Sequence, residues 1–118
     1  MVAMGQLTTH ILDTASGKPA AGVDIRLYGL GDERCLLASA VTNSDGRSEY
    51  PLLQDDAMKT GEYELEFDIG AYFEAQGMDT QAPAFLGTVV IRFAVRADER
   101  YHVPLLVSPW SYSTYRGS

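Results

Sequence analysis

Regular alternation of apolar and polar side chains is the feature that most constrains the fold of this chain. In the clearest run, three acidic residues separate Tyr63, Leu65, Phe67 and Ile69. A period of two residues is that of a β-strand with one buried and one solvated face. The run therefore predicts a strand that points four large apolar side chains into a core and its acids into water.

Further runs of this kind indicate that strands dominate the chain. Six more strand segments are predicted, at residues 7–12, 23–28, 36–42, 89–95, 101–107 and 111–115. Pro104 has no N–H to donate, so we expect its strand to lie at a sheet edge or to contain a bulge. Residues 70–77 indicate one short helix, which Gly77 would end. Seven short strands with one short helix predict an all-β fold, a two-sheet β-sandwich.

Size, charge and cysteine content narrow the classes of function. A chain of 118 residues has the size of one domain, so residues 1–118 are interpreted as a single domain. A net charge of −7 disfavours nucleic acid and anionic membranes as partners. Cys35 is the only cysteine, which rules out an intrachain disulfide, and its apolar neighbours predict a buried, unreactive thiol. No signal peptide or membrane-spanning run is visible, so we expect a cytoplasmic protein.

Only two histidines occur, and each lies within a predicted strand. The alternation places His10 and His102 opposite the main apolar face of their strands. Histidine is the natural general acid or base near neutral pH. Taken singly, however, each one fits an exposed or structurally hydrogen-bonded role better than a catalytic one. The sequence has no His-x-His, His-x-x-x-His or Cys-x-x-Cys spacing, so we predict no metal site.

Two arginines are the other polar candidates. Arg47 directly follows the turn at residues 43–46, so it projects from an end of the sandwich, where ligand-binding loops gather. A solvated turn arginine is the alternative. Arg116 lies in the terminal run, where Tyr115 indicates packing and the planar guanidinium suits an anionic or carbonyl-bearing ligand. If the tail is packed, the Ser118 hydroxyl is also a placed polar group; otherwise the tail is an edge strand with a solvated arginine.

Three segments together resemble one known family. They are residues 7–20, residues 42–47, and residues 101–106 together with the terminal run 112–118. The chain resembles the 5-hydroxyisourate hydrolases, the transthyretin-like enzymes of urate breakdown, over nearly its whole length. The terminal Tyr-Arg-Gly-Ser distinguishes these hydrolases from the hormone-carrying transthyretins, which lack it. The pair Trp110-Ser111 departs from the family pattern, in which an aromatic residue and a glycine are expected.

The resemblance implies an assembly and a reaction. It implies a transthyretin-like two-sheet β-sandwich that forms a homotetramer, with the sites in a channel where dimers meet. The implied substrate is the small molecule 5-hydroxyisourate, and the implied product is 2-oxo-4-hydroxy-4-carboxy-5-ureidoimidazoline. No metal and no organic cofactor is expected. The alternatives are a non-catalytic transthyretin-like protein that binds a small molecule and, less favoured, a structural or adhesion sandwich.

The resemblance also implies roles for individual residues. His10, Arg47 and His102 match the polar triad of the family. Opening the ring requires a base for the attacking water and donors for the developing oxyanion. We expect His102 to deprotonate the water, His10 to position the substrate or protonate the leaving nitrogen, and Arg47 to bind the carbonyl edge. The tail is expected to orient the ring and close the pocket through Tyr115, Arg116 and Ser118. Of these three residues, Ser118 is also counted among the catalytic groups.

Overall fold

The computed structural model describes residues 5–78 and 82–117. Within these two stretches the chain forms nine strands and one α-helix, with a short 3-10 helix at Asp55–Ala57. The strands are β1 (Gln6–Asp13), β2 (Lys18–Pro19), β3 (Asp24–Leu30), β4 (Arg34–Val41), β5 (Leu53–Gln54), β6 (Gly61–Asp68), β7 (Thr88–Val95), β8 (Arg100–Val107) and β9 (Tyr112–Thr114). The helix α1 spans Ile69–Ala75. Every strand predicted from the sequence is present.

The strands form two sheets, which confirms the predicted all-β sandwich. One sheet has the order β2-β1-β8-β9, with β5 also paired to β1. The other has the order β4-β3-β6-β7. Neighbouring strands are antiparallel except β1 and β8, which run parallel through eight paired residues. This parallel pair connects the two ends of the chain at the centre of one sheet.

The alternation that predicted β6 also describes its packing. Tyr63, Leu65 and Phe67 are buried, and Ile69 is buried as the first residue of α1. Full burial of each such side chain contributes about 1.5–3 kcal/mol to folding. The intervening acids face outward and form ion pairs with arginines of neighbouring strands. The pairs are Arg26 with Glu66 and Asp68, Arg34 with Glu64 and Glu66, and Arg92 with Glu64.

Helix α1 ends as predicted and is tied to the first sheet. Gly77 has a φ of +71°, the left-handed conformation in which glycine commonly ends a helix. The Tyr72 hydroxyl donates a 2.9 Å hydrogen bond to the buried Asp13 carboxylate at the end of β1. Burial and this hydrogen bond raise the pKa of Tyr72 to about 12. In the described part of the chain no helix is long and apolar enough to cross a membrane.

Two predictions about individual residues were wrong, and sheet order is the reason for both. Cys35 is exposed, because its strand β4 is the outer strand of its sheet and covers little of the core. Pro104 lies in β8, which is paired on both sides and so is not an edge strand. Regular pairing of β8 with β9 covers Leu105–Val107 and stops just before Pro104. The N–H that Pro104 lacks is therefore not needed for pairing with β9.

Candidate active site

The parallel pairing of β1 with β8 brings the two histidines together on the outer face of the first sheet. Thr8 is the register partner of His102, and His10 lies two residues further on, opposite Pro104. Leu7, the neighbour of Thr8, points into the core and is fully buried, as the alternation predicts. The predicted placement of both histidines opposite the core is confirmed.

The two imidazole rings form a hydrogen-bonded, stacked pair. His10 Nδ1 lies 2.5 Å from His102 Nε2. The ring centroids are 4.7 Å apart and the planes differ by 22°. The second ring nitrogen of His102, Nδ1, lies 2.8 Å from the Thr8 hydroxyl. Both ring nitrogens of His102 therefore have partners, whereas His10 Nε2 has none among the described residues.

The turn predicted at residues 43–46 places Arg47 beside His10. The Asn43 side-chain oxygen accepts hydrogen bonds from the Asp45 and Arg47 N–H groups, at 2.9 and 3.2 Å. Gly46 has a φ of +74°, and a Cβ there would lie 2.5 Å from the Ile11 carbonyl oxygen. Glycine thus lets the turn dock closely on β1, where Arg47 forms a backbone bridge with His10. The exposed Arg47 guanidinium has no hydrogen-bond partner within the described stretches.

The surroundings of the histidine pair favour its neutral form. Burial, and secondly the positive charge of Arg47, lower the pKa of His10 below its ordinary value of 6.5. Burial is also the main cause that lowers the pKa of His102, followed by His10 and Arg47. A neutral imidazole carries one N–H and one lone pair, so the pair can accept a proton at neutral pH.

The C-terminal tail is pinned against His102. Gly117 N–H donates a 2.7 Å hydrogen bond to the His102 carbonyl oxygen. A Cβ on Gly117 would lie 3.0 Å from His102 Cδ2, so a larger residue would require the ring or the tail to shift by a few tenths of an ångström. The Thr114 hydroxyl donates a 2.7 Å hydrogen bond to the Pro104 carbonyl oxygen and fixes the tail one step earlier. The tail is therefore docked on β8 through hydrogen bonds, but it is the outer strand of its sheet, and Tyr112 and Tyr115 are 46% and 58% exposed, so their predicted packing is not seen within one chain. Ser118 lies outside the described residues.

Arg116 is held on the other side of the sheet from the histidines. Its guanidinium donates hydrogen bonds to the Glu99 carboxylate at 3.1 Å and to the Arg100 carbonyl oxygen at 3.2 Å. It also lies 4.1 Å from the centroid of the Tyr101 ring. Tyr101 and His102 are adjacent in β8, so their side chains lie on opposite faces of the sheet. Within one chain, Arg116 therefore anchors the tail instead of facing the histidine pair.

Tyr115 lines a cavity at the lateral edge of the sandwich. This cavity measures about 240 Å³ and lies between β7 of one sheet and β8 and β9 of the other. The Tyr115 side chain is more than half exposed. Within one chain the structure therefore brings together His10, His102 and Arg47, while Tyr115 and Arg116 lie at this edge.

The unusual pair Trp110-Ser111 is accommodated by a compact turn before β9. Ser108 N–H donates a 2.8 Å hydrogen bond to the Ser111 carbonyl oxygen. The Ser108 hydroxyl accepts hydrogen bonds from the N–H groups of Trp110 and Ser111, at 3.3 and 3.1 Å. Trp110 itself is 64% exposed and places no bulk between the turn and the tail. The departure from the family pattern is thus compatible with a docked tail.

Thr8 is the residue at this site that the sequence did not single out. Its position two residues before His10 placed it on the same face, which was the one signal available. Its contact with His102 depends on a register between residues 94 positions apart, which alternation does not reveal. Across residues 5–78 and 82–117, no cluster of three or more His, Cys, Asp or Glu side chains could hold a metal ion.

The arrangement provides the parts for water-dependent chemistry on a small polar molecule. A neutral histidine pair can take a proton from water, and an arginine beside it can stabilise negative charge on oxygen. The docked tail adds a wall on the His102 side.

Comparisons with known proteins agree with this fold. The family model described as HIUase/Transthyretin family matches residues 7–117. The 5-hydroxyisourate hydrolase of Pseudomonas aeruginosa is 51% identical over 117 residues, covering 98% of this chain and 93% of that protein.

Two solved structures have the same fold. The structure of Klebsiella pneumoniae 5-hydroxyisourate hydrolase superposes with a TM-score of 0.77 at 36% identity, covering 96% of this chain and 99% of that one. The structure of an (S)-allantoin synthase superposes with a TM-score of 0.94 at 46% identity over 99% of this chain. This chain spans 45% of the length of that synthase. The chain belongs to the HIUase/Transthyretin family.

Proposed function

We propose that this chain is a hydrolase that opens the ring of 5-hydroxyisourate in urate breakdown, giving 2-oxo-4-hydroxy-4-carboxy-5-ureidoimidazoline. The observation that carries the proposal is the hydrogen-bonded pair of His10 and His102 beside Arg47, in surroundings that lower the pKa of both histidines. The relative from Pseudomonas aeruginosa, named 5-hydroxyisourate hydrolase, matches at 51% identity over nearly the whole of both chains. A transthyretin-like carrier has no need of a base.

The geometry favours His10 as the group that meets the water. Both ring nitrogens of His102 have partners, so it has no free lone pair to offer in this arrangement. His10 Nε2 has no partner among the described residues and takes the proton as the water oxygen attacks the ring carbonyl carbon. The negative charge that develops on the carbonyl oxygen faces the Arg47 guanidinium. His102, which we expected to act as the base, then supports His10.

Collapse of the tetrahedral intermediate completes the reaction. The carbonyl re-forms, the bond from carbon to the ring nitrogen breaks, and the proton held by His10 passes to that nitrogen. Water is thus added across one amide bond with no net change in the protein. These steps use side chains of this chain alone and call for no metal or organic cofactor.

The tail is proposed to close the site on the His102 side. The 2.7 Å hydrogen bond from Gly117 holds that residue against His102, and Ser118 is the next residue in the sequence. We assign Ser118 to the catalytic groups and Tyr115 to substrate binding, in line with the family resemblance. Arg116 was predicted to bind substrate; its contacts with Glu99 support an anchoring role within one chain.

The proposed working unit is a homotetramer of a single domain, residues 1–118. Strands β7 and β9 are the outer strands of their sheets and border the same cavity, so that side of the sandwich has unpaired edges. Exposed aromatic side chains, Trp110, Tyr112 and Tyr115, lie in or beside β9 and are suited to burial against other subunits. A cytoplasmic location stays a prediction from the sequence.

The test is the decay of 5-hydroxyisourate, generated from urate by urate oxidase, with and without the purified protein. We expect acceleration over spontaneous decay in proportion to protein, and its loss on deletion of residues 115–118. A binding protein without activity would leave the decay unchanged or slow it by sequestering the compound, and either result would refute the proposal. A dilution series then tests the assembly: specific activity should fall as tetramers dissociate.

A further inference from the structure

The Thr8 hydroxyl contacts both a backbone carbonyl oxygen and a ring nitrogen of the histidine pair. Its oxygen lies 2.8 Å from His102 Nδ1 and 3.4 Å from the Tyr101 carbonyl oxygen. Thr8 is half-buried on the outer face of β1 and is the register partner of His102 in β8. The regular ladder between two central strands therefore fixes the position of this hydroxyl.

The direction of these hydrogen bonds depends on where the hydroxyl proton lies. The 2.8 Å contact with His102 Nδ1 can run in either direction, whereas the Tyr101 carbonyl oxygen, in the longer contact of 3.4 Å, can only accept. Both partners are satisfied when the hydroxyl donates to Tyr101 and its oxygen accepts from His102 Nδ1. In that arrangement a neutral His102, which has a single N–H, keeps a lone pair on Nε2.

The protonation of His102 in this arrangement also sets the tautomer of His10. The lone pair on His102 Nε2 accepts the proton of His10 Nδ1 across 2.5 Å. His10 then has its own lone pair on Nε2, the nitrogen that has no partner within the described residues. A chain of three hydrogen bonds thus begins at a backbone carbonyl oxygen and ends at a basic nitrogen facing the site.

We propose that Thr8 is a positioning residue that selects the tautomers of both histidines and thereby presents His10 Nε2 as the base. The inference rests on the proposed function, which it deepens. A hydrogen-bonded partner of an imidazole fixes which ring nitrogen carries the proton. The Thr8 hydroxyl would have this effect on His102 and, through it, on His10.

The chain offers matched variants to test this role. Thr8→Val keeps the shape of the side chain and removes the hydroxyl, whereas Thr8→Ser keeps the hydroxyl. Thr9→Val is the control, because the adjacent Thr9 hydroxyl donates a 2.6 Å hydrogen bond to the Val103 carbonyl oxygen on the opposite face of β1. It removes a threonine hydrogen bond between the same two strands without touching either histidine.

Two readouts separate positioning from a structural effect. In turnover of 5-hydroxyisourate, we expect Thr8→Val to lower kcat roughly 10–100-fold with KM nearly unchanged, the range seen for hydrogen-bonded partners that orient metal-bound imidazoles. Thr8→Ser should restore kcat to within about threefold of the unchanged protein, and Thr9→Val should match the unchanged protein. Equal losses in the Thr8→Val and Thr9→Val proteins would overturn the proposal.

The second readout does not depend on activity. Imidazole ¹⁵N NMR near pH 8, where the neutral forms dominate, distinguishes protonated from unprotonated ring nitrogens. We expect His102 and His10 to carry their protons on Nδ1 in the unchanged protein, and His102 to change tautomer in Thr8→Val. A proton on His102 Nε2 in the unchanged protein would overturn the proposal even if Thr8→Val failed to fold. Expected tautomers without turnover would instead refute the proposed function alone.

Discussion

Gly117→Ala perturbs the site at its tightest backbone contact. The new Cβ would lie 3.0 Å from His102 Cδ2, 3.3 Å from the His102 carbonyl oxygen and 3.4 Å from its Cβ. Ordinary contacts between carbon atoms lie at about 3.5–4.0 Å, so the tail or the ring must move by a few tenths of an ångström. The substitution therefore forces a choice between two parts of the proposed site.

The energies indicate that the tail moves first. Keeping an overpacked contact costs about 1–3 kcal/mol. Releasing the tail forfeits the hydrogen bond from Gly117 N–H to the His102 carbonyl oxygen, a bond of 2.7 Å with a net value of about 0.5–1.5 kcal/mol. Release is the smaller loss, and it leaves the pairing of His102 with His10 intact while withdrawing the last residues from the site.

The assay is the decay of 5-hydroxyisourate, combined with unfolding in denaturant. We expect turnover to fall about 10–100-fold, as for a comparable misplacement of groups in an active site. The free energy of unfolding should change by less than about 1.5 kcal/mol. Gly31→Ala is the control, because a Cβ there has no atom within 4 Å. Turnover of Gly117→Ala equal to that of Gly31→Ala would refute the placement of the tail in the site.

Four further predictions test the charges and anchors around the site. Arg47→Gln removes the second cause of the lowered pKa of His10, so NMR titration should show that pKa rising toward 6.5; no change would contradict the electrostatic account. In the folded protein the pKa of both histidines lies below 6.5. The contribution of the neutral histidines to the free energy of unfolding is therefore complete above about pH 6.5, and it should decline as the pH falls through the lowered pKa values. Tyr72→Phe removes a donor from the buried Asp13 carboxylate and should cost about 1–3 kcal/mol in denaturant unfolding; an unchanged midpoint would contradict this anchor. Glu99→Gln weakens the hold on the tail arginine and should raise the hydrogen-exchange rates of the tail amides; rates equal to those of the unchanged protein would show that another contact holds the tail.

Alternation predicted the strands and the faces of both histidines because it is a local property. The side chains of Leu7 and His10 point to opposite faces whatever strand lies beside them. The 2.5 Å contact between His10 and His102 joins residues 92 positions apart and depends on a parallel strand pair, which no local pattern specifies. The family resemblance supplied that association, without its geometry.

The errors have the same origin. Whether Cys35 is exposed or Pro104 lies in an interior strand depends on the order of strands in a sheet, which follows from pairings far apart in the chain. The anchoring of Arg116 by Glu99 likewise joins two surface segments that only the folded sheet brings together. In each case the prediction described the local segment correctly, but it did not identify the segments that pack against it in the folded protein.

The central claim is that His10 and His102 act as one catalytic unit on 5-hydroxyisourate. The most direct measurement is kcat for the unchanged protein, His10→Asn, His102→Asn and the double variant. Residues that act as a unit have strongly non-additive effects. The account predicts that each single variant loses nearly as much turnover as the double variant. Losses that multiply in the double variant, or full turnover in either single variant, would contradict it.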